Sequence, residues 1–443
     1  MPDDRVAVSH PVWNTAKECG TGRERRMRLR GGLLAGVLAS VLGWGGVAAP
    51  PARAATPDAL ATARRAIQDL IAHFWVGPAA TGHIQYGCPK RGGCMWEGAQ
   101  VANALYGWWR ITGSADAAAR IAAHWAWLKA GHPATDFTTC GRPSEENYAL
   151  DDTAWDISFM LQAAEVTHDP AALADARGAL DCARARWWDT EFGGGYHYSD
   201  TEPGKGNYQT VLILDELEYH RQSGDAAYLA RAKQDEAWVA SHLLITPEQS
   251  VVAPAGVGLY FNLYRANGCH GGPGPVGCPY HMRVSNIAQD QTMLVANMAM
   301  CVIDTRLAKI TGDPAYHARA MATAAAIRRT ETNAANPYRG ALGGIDVLTD
   351  DQDANVNAYE AINYALEVVP LLPADGQYAD GGVLRATAAA IMANDRRADG
   401  LYGGDWQGPP DGVWSHHGNN SGPDRMVVSA NAVAMVVAAA GAK

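Results

Sequence analysis

Polar and apolar positions follow a helical period along almost the whole chain, and strand-like alternation is scarce. A short phrase punctuates the pattern: Thr112-Gly-Ser-Ala-Asp116, Thr167-His-Asp-Pro170, Ser223-Gly-Asp-Ala226 and Thr311-Gly-Asp-Pro314. Each instance ends one helical pattern and opens the next. Gly suits the position just past a helix, Asp or Ser the cap, and Pro the first turn. The first three lie 55 and 56 residues apart; the next gap is 88 and holds a Gly/Pro/Cys-rich insertion over 250–283. Self-similarity at this period predicts stacked two-helix units.

Splitting the chain at these phrases yields two sets of helices. Pro57–Trp75, Asp116–Leu128, Ala171–Trp187, Ala226–Leu243, Pro314–Thr330 and Gln377–Asn394 are rich in Ala and Arg with one apolar stripe, as outer helices are. Trp96–Arg110, Leu150–Glu165, Tyr208–Arg221, Ile287–Lys309, Val356–Val369 and Met426–Ala440 are more apolar and belong inside. The sets alternate. They predict an all-α fold, an (α/α)6 toroid of six helical hairpins, forming one domain over residues 55–443. Turns from inner to outer helices are short. Connections from outer to inner helices are long, carry the aromatic, Gly and polar residues, and all open at the N-termini of the inner helices. Long loops on one rim of a rigid scaffold are where sites are built.

Composition narrows the partners. Trp 14 and Tyr 17 against Phe 5 suggest polar-edged aromatic surface. A net charge of −10 argues against nucleic acid. Residues 1–54 read as an export signal, of Sec or twin-arginine type. Arg23, Arg25, Arg26, Arg28 and Arg30 precede the apolar stretch Gly31 to Val47, and Ala52-Arg53-Ala54 forms a cleavage site. Met27 offers an alternative start. The expected destination is the periplasm or the medium. No other stretch is apolar enough to span a bilayer, and a monomer is expected. Export permits disulfides. Cys88 with Cys94 and Cys269 with Cys278 are expected bridges, Cys182 and Cys301 are expected buried thiols, and Cys140 is left undecided.

The candidate chemistry lies in Ser144-Glu-Glu-Asn-Tyr-Ala-Leu-Asp-Asp-Thr-Ala-Trp-Asp156. Asp151 and Asp152 are adjacent where the chain turns apolar. A lone Asp-Asp pair is ordinarily a helix cap. Its place on the loop-bearing rim favours chemistry instead, with two carboxyls flanking one scissile bond. Trp155, one turn on, is positioned to floor a pocket. Candidate contact residues around the pair are Trp96, Asn147, Tyr148, Trp155, Tyr196, Tyr208, Gln209, Asp290, Gln291, Asn355 and Trp406. Neutral amides, Tyr hydroxyls and Trp faces suit sugar hydroxyls and rings. Cys269-His270 lacks a second thiolate partner for zinc. The run Asp350, Asp351, Asp353 and Asn355 has Val356 where a calcium loop needs Gly. No metal or cofactor is expected.

Asp151-Asp152-x-x-Trp155, the Gly193-Gly-Gly195 aromatic loop, the recurring helix ends and the closing Ser429-Ala-x-Ala run together resemble glycoside hydrolase family 76. That family holds bacterial endo-α-1,6-mannanases and fungal cell-wall transglycosidase relatives. The resemblance implies a retaining glycosidase acting on α-1,6-mannan or a related polysaccharide, with Asp151 as nucleophile and Asp152 as acid/base. Asp156 departs from the family pattern, which bears on sugar specificity. Other readings are an unsaturated-uronyl hydrolase, an epimerase of the N-acylglucosamine type using His270, His281, His416 or His417, and a non-catalytic glycan-binding envelope protein.

Overall fold

The computed structural model describes residues 57–85, 95–130, 140, 149–199, 205–247, 257–260, 263–264, 294–330, 358–373, 382–403, 406 and 422–442. Twelve helices run through these residues. They are α1 (Pro57–Phe74), α2 (Met95–Thr112), α3 (Ala115–Lys129), α4 (Leu150–Thr167), α5 (Pro170–Trp187) and α6 (Gln209–Ser223). Then come α7 (Ala226–His242), α8 (Leu294–Thr311), α9 (Pro314–Thr330), α10 (Ala358–Asn363), α11 (Gly382–Ala390) and α12 (Gly422–Gly441). Helix α10 continues through a π turn, Tyr364–Val368, and a 3-10 turn, Val369–Leu371; α11 continues through a π turn, Ile391–Asp395.

The even-numbered helices form a closed ring. Each packs on the next, and α12 returns to α2. The odd-numbered helices lie outside, packed in pairs with the inner ones. The architecture is the expected (α/α)6 toroid. Burial separates the layers as the sequence suggests. In α5 only Ala172, Ala176, Ala179, Leu180, Ala183 and Trp187 are buried, a stripe at helical spacing. In α6 every residue from Gln209 to Tyr219 is buried, and in α8 every residue from Leu294 to Thr305. An inner helix is covered on one side by an outer helix and on the others by the ring. Its polar residues must therefore bond inside the protein.

The recurring phrase forms one turn, built four times. Thr112, Thr167, Ser223 and Thr311 donate their hydroxyls to Trp108, Ala163, Tyr219 and Leu307 carbonyls at 2.6 to 2.7 Å. The same hydroxyls accept from the amides of Ser114, Asp169, Asp225 and Asp313 at 3.1 to 3.2 Å. Those residues then cap the next helix, accepting from Ala117, Ala171, Ala227 and Ala315. The residue between must be left-handed. It is Gly113, Gly224 and Gly312 in three turns and His168, at φ 57°, in the fourth.

One cysteine reading is corrected. Cys182 is not a buried thiol: it is bonded to Cys140, across a separation of 42 residues, with S–S 2.01 Å. The bridge ties α5 to the connection preceding α4, a distant loop that spacing along one helix does not reveal. Cys301 is a buried free thiol. Cys88, Cys94, Cys269 and Cys278 lie outside the described residues, as does the expected export signal. No described helix is long and apolar enough to cross a membrane.

Two outcomes follow from these contacts. Replacing Cys182 with Ser should cost up to about 4 kcal/mol of stability by loop entropy, read as a lower thermal midpoint that reductant lowers no further. Replacing His168 with Gly should raise stability by about 1 kcal/mol, because a side chain at this φ is strained, and denaturant unfolding would measure it.

Candidate active site

Asp151 and Asp152 occupy the first turn of α4, half-buried at the rim. Ala149, before the helix, provides no side-chain cap. The capping is done by the acid itself: the Asp152 amide donates to Asp151 Oδ1 at 3.0 Å. The backbone dipole favours a negative charge there. A third acid, Asp156, lies buried one turn deeper.

A second segment is stitched to this helix start. The Leu150 amide donates to the Tyr198 carbonyl at 2.8 Å, and Ala149 bridges Ser199. This is the end of the Gly-rich aromatic loop, so the loop and the acid pair share one wall. Trp188 bridges Tyr196, and the His197 amide donates to the Trp187 carbonyl at 2.9 Å. Gly195 has φ 85°, and a Cβ there would come within 2.7 Å of the Trp238 ring. The same Trp238 donates its indole N–H to the Phe192 carbonyl at 3.0 Å. Glycine is required because the loop backbone lies directly on an aromatic face.

Lys205 anchors the loop from within. Its ammonium is fully buried and donates to Asp189 Oδ1 at 2.5 Å, the Glu191 carbonyl at 2.8 Å and the Gly194 carbonyl at 2.7 Å. His197 Nε2 lies 2.5 Å from Asp189 Oδ2. Burial works against the Asp189 charge, but hydrogen bonds from Lys205, His197 and the Glu191 amide outweigh it and hold the carboxyl down at about 2. Ligand atoms of Asp189, Glu191 and His197 lie within 4.8 Å of one another, and Lys205 pairs with the Asp189 carboxylate among them.

The expected contact residues divide by depth. Trp96 is half-buried and packs against Trp155, with ring centroids 5.6 Å apart; Trp155 itself is 5% exposed. Tyr208 is 9% exposed and meets Tyr198 edge-on at 4.7 Å. Three others lie fully inside the protein. Tyr196 is fully buried, its hydroxyl accepting from Arg184 and donating to Glu216. Gln209 is fully buried, accepting from the Tyr196 amide and donating to the Gly206 carbonyl. Trp406 is fully buried as well. A helix-start position and an aromatic or amide type are shared by residues that line a rim and residues that brace it. Asn147, Tyr148, Asp290, Gln291 and Asn355 lie outside the described residues. Sequence reasoning missed Lys205 and Trp238. A lysine flanked by Gly204 and Gly206, beside a Gly-rich aromatic loop, was the available signal for the first.

Beneath the rim the ring interior is polar. Ser158 donates to Asp215 at 2.7 Å, and Gln162 to Asn103 at 2.5 Å. Burial pushes Asp215 well above the usual carboxylate range, and Glu360, also fully buried, is pushed up to about 8. Deeper, Glu218 is held down at about 2: burial opposes its charge, and Arg221 and Arg306 overcome it.

By sequence, neither a protein family nor a curated protein matches the chain. Solved structures do match by fold. The family 76 α-1,6-mannanase of Salegentibacter sp. HEL1_6 superposes with TM-score 0.61 at 16% identity, covering 86% of this chain and 99% of that one. An inactive variant of it, with two consecutive aspartates changed to asparagine, is in complex with α-1,6-mannotriose; it matches with TM-score 0.62. A family 76 mannosidase of Bacteroides thetaiotaomicron matches with TM-score 0.61 at 14% identity, covering 86% of this chain and 98% of that one. Dfg5 of Chaetomium thermophilum, in complex with glucosamine, matches with TM-score 0.55 at 14% identity over 86% of this chain and 91% of its own. At such identities the likeness is one of fold. The chain has the fold of the family 76 α-mannanases.

If Lys205 holds the loop, Lys205→Met should lower stability by about 1–3 kcal/mol through the stranded Glu191 and Gly194 carbonyls. Limited proteolysis should then cut between Asp189 and Tyr198, where the native protein resists.

Proposed function

We propose that the chain is an exported, retaining glycoside hydrolase that cleaves α-1,6-mannan or a related α-mannosidic polysaccharide. The observation that carries this reading is the placement of Asp151 and Asp152. They are consecutive on the first turn of an inner helix, at the rim, beside a Gly-rich aromatic loop. The fold is that of mannanases in which a variant lacking two consecutive aspartates is inactive. Among the described residues no other such pair occurs.

Asp151 is the nucleophile in this reading. Its carboxylate, oriented by the Asp152 amide, attacks the anomeric carbon while Asp152 protonates the departing oxygen. Water, deprotonated by Asp152, then releases the sugar with its configuration retained. Trp96 and Trp155 supply an aromatic floor. The Cys140–Cys182 bridge suits an oxidising compartment outside the cytoplasm and so supports export. No cofactor enters the mechanism, and the working unit is the monomer.

Reducing-end release from α-1,6-mannan tests this, in a panel that includes glucosamine-containing glycans because Dfg5 holds glucosamine. Asp151→Asn and Asp152→Asn should each lower kcat by about a thousandfold or more with the thermal midpoint unchanged. Near-native turnover by either variant would overturn the assignment. Binding without any new reducing ends in the native protein would favour a glycan-binding protein.

A further inference from the structure

Glu360 has no part in the chemistry above, yet it is an unusual group to bury. It sits on α10 with 0% exposure, and neither carboxyl oxygen has a close hydrogen bond. The Trp155 indole N–H is in the same condition. These two orphans face each other: Trp155 is the polar side chain acting on the Glu360 carboxyl. The ring explains the meeting. Inner helices follow in the order α2, α4, α6, α8, α10, α12 and close, so α4 and α10 stand opposite. A contact between them crosses the axis of the toroid. Trp155 lies one turn below Asp151 on α4, against Trp96.

We infer that Glu360 is a positioning residue: reaching across the ring, its carboxyl takes the Trp155 indole N–H and fixes that ring as the floor beneath Asp151 and Asp152. The inference rests on the reading of that pair as the reacting groups. A single bond between the two orphans satisfies both, which is the usual fate of buried donors and acceptors. The charged and titratable groups around Glu360 are Asp215 on α6, bonded to Ser158 of α4, with Glu218 of α6 and Arg306 of α8 beyond it. Asp215, itself held protonated by burial, brings Glu360 neither a cation nor a charge. Burial therefore keeps Glu360 protonated up to about 8, and a neutral acid sits below the pair without repelling it.

The test uses the full chain and two variants. Glu360→Gln keeps an oxygen acceptor, and Glu360→Met removes it at similar volume. The first readout is the Trp155 indole N–H resonance, assigned by its loss in Trp155→Phe. In the native protein it should titrate near pH 8, in Glu360→Gln it should not, and in Glu360→Met it should move. The second readout is cleavage of α-1,6-manno-oligosaccharide. Glu360→Met should lose tens-fold to about a hundredfold in kcat with KM nearly unchanged, and Glu360→Gln should recover most of it. An indole resonance indifferent to both variants, or equal kcat losses in Gln and Met, would overturn the role of Glu360 while Asp151 and Asp152 stand. A native protein that cleaves none of the oligosaccharides removes the pair's function and the proposal with it. The two failures are thus separable.

Discussion

Ring closure is the constraint from which the rest follows. When α12 packs back onto α2, every inner helix loses its solvent face. A helix covered all round cannot leave polar side chains to water, so those that remain inside must find one another. Ser158 with Asp215, Gln162 with Asn103, and Arg306 with Glu367 do so. Asp215 and Glu360, for which burial is the largest influence, respond by holding their protons instead. At the rim the ring ends, and there the carboxyl-bearing residues Asp151 and Asp152 are only half-buried.

Two modes of bracing operate at that rim. The acid pair is held by regular structure, since Asp151 and Asp152 are part of a helix. The loop beside it is held by individual contacts: the Lys205 ammonium among carbonyls, the Trp238 face under Gly195, and the Leu150 amide on Tyr198. Breaking a helix turn is costly and cooperative. Breaking one contact in the loop is local.

The fold was legible because its signals are local. The Thr-Gly-Asp phrase states where a helix stops and where the next begins, and each of its atoms is used within a few residues. Inner and outer helices differ in apolar content because one is wrapped and the other is not. The site was legible only in part. Asp151 and Asp152 stood out as adjacent charges at a rim position. Tyr196, Gln209 and Trp406 look identical in sequence to surface contacts, and only the packing of distant segments puts them inside. Cys182 has the same history: its partner Cys140 comes from a loop, and the alternative of a quiet thiol in a helix is equally good arithmetic. Glu360 was invisible, since its meaning depends on a helix on the far side of the ring.

The four saturated turns also divide the molecule's freedom to change. At their end of the toroid each hydroxyl, amide and cap is already committed, so an inserted residue there breaks several bonds at once. At the opposite end the connections are long, and one already carries the insertion over 250–283. Diversification is thereby channelled to one pole. New recognition elements can be spliced in beside the acid pair while the scaffold that aims it stays as it was.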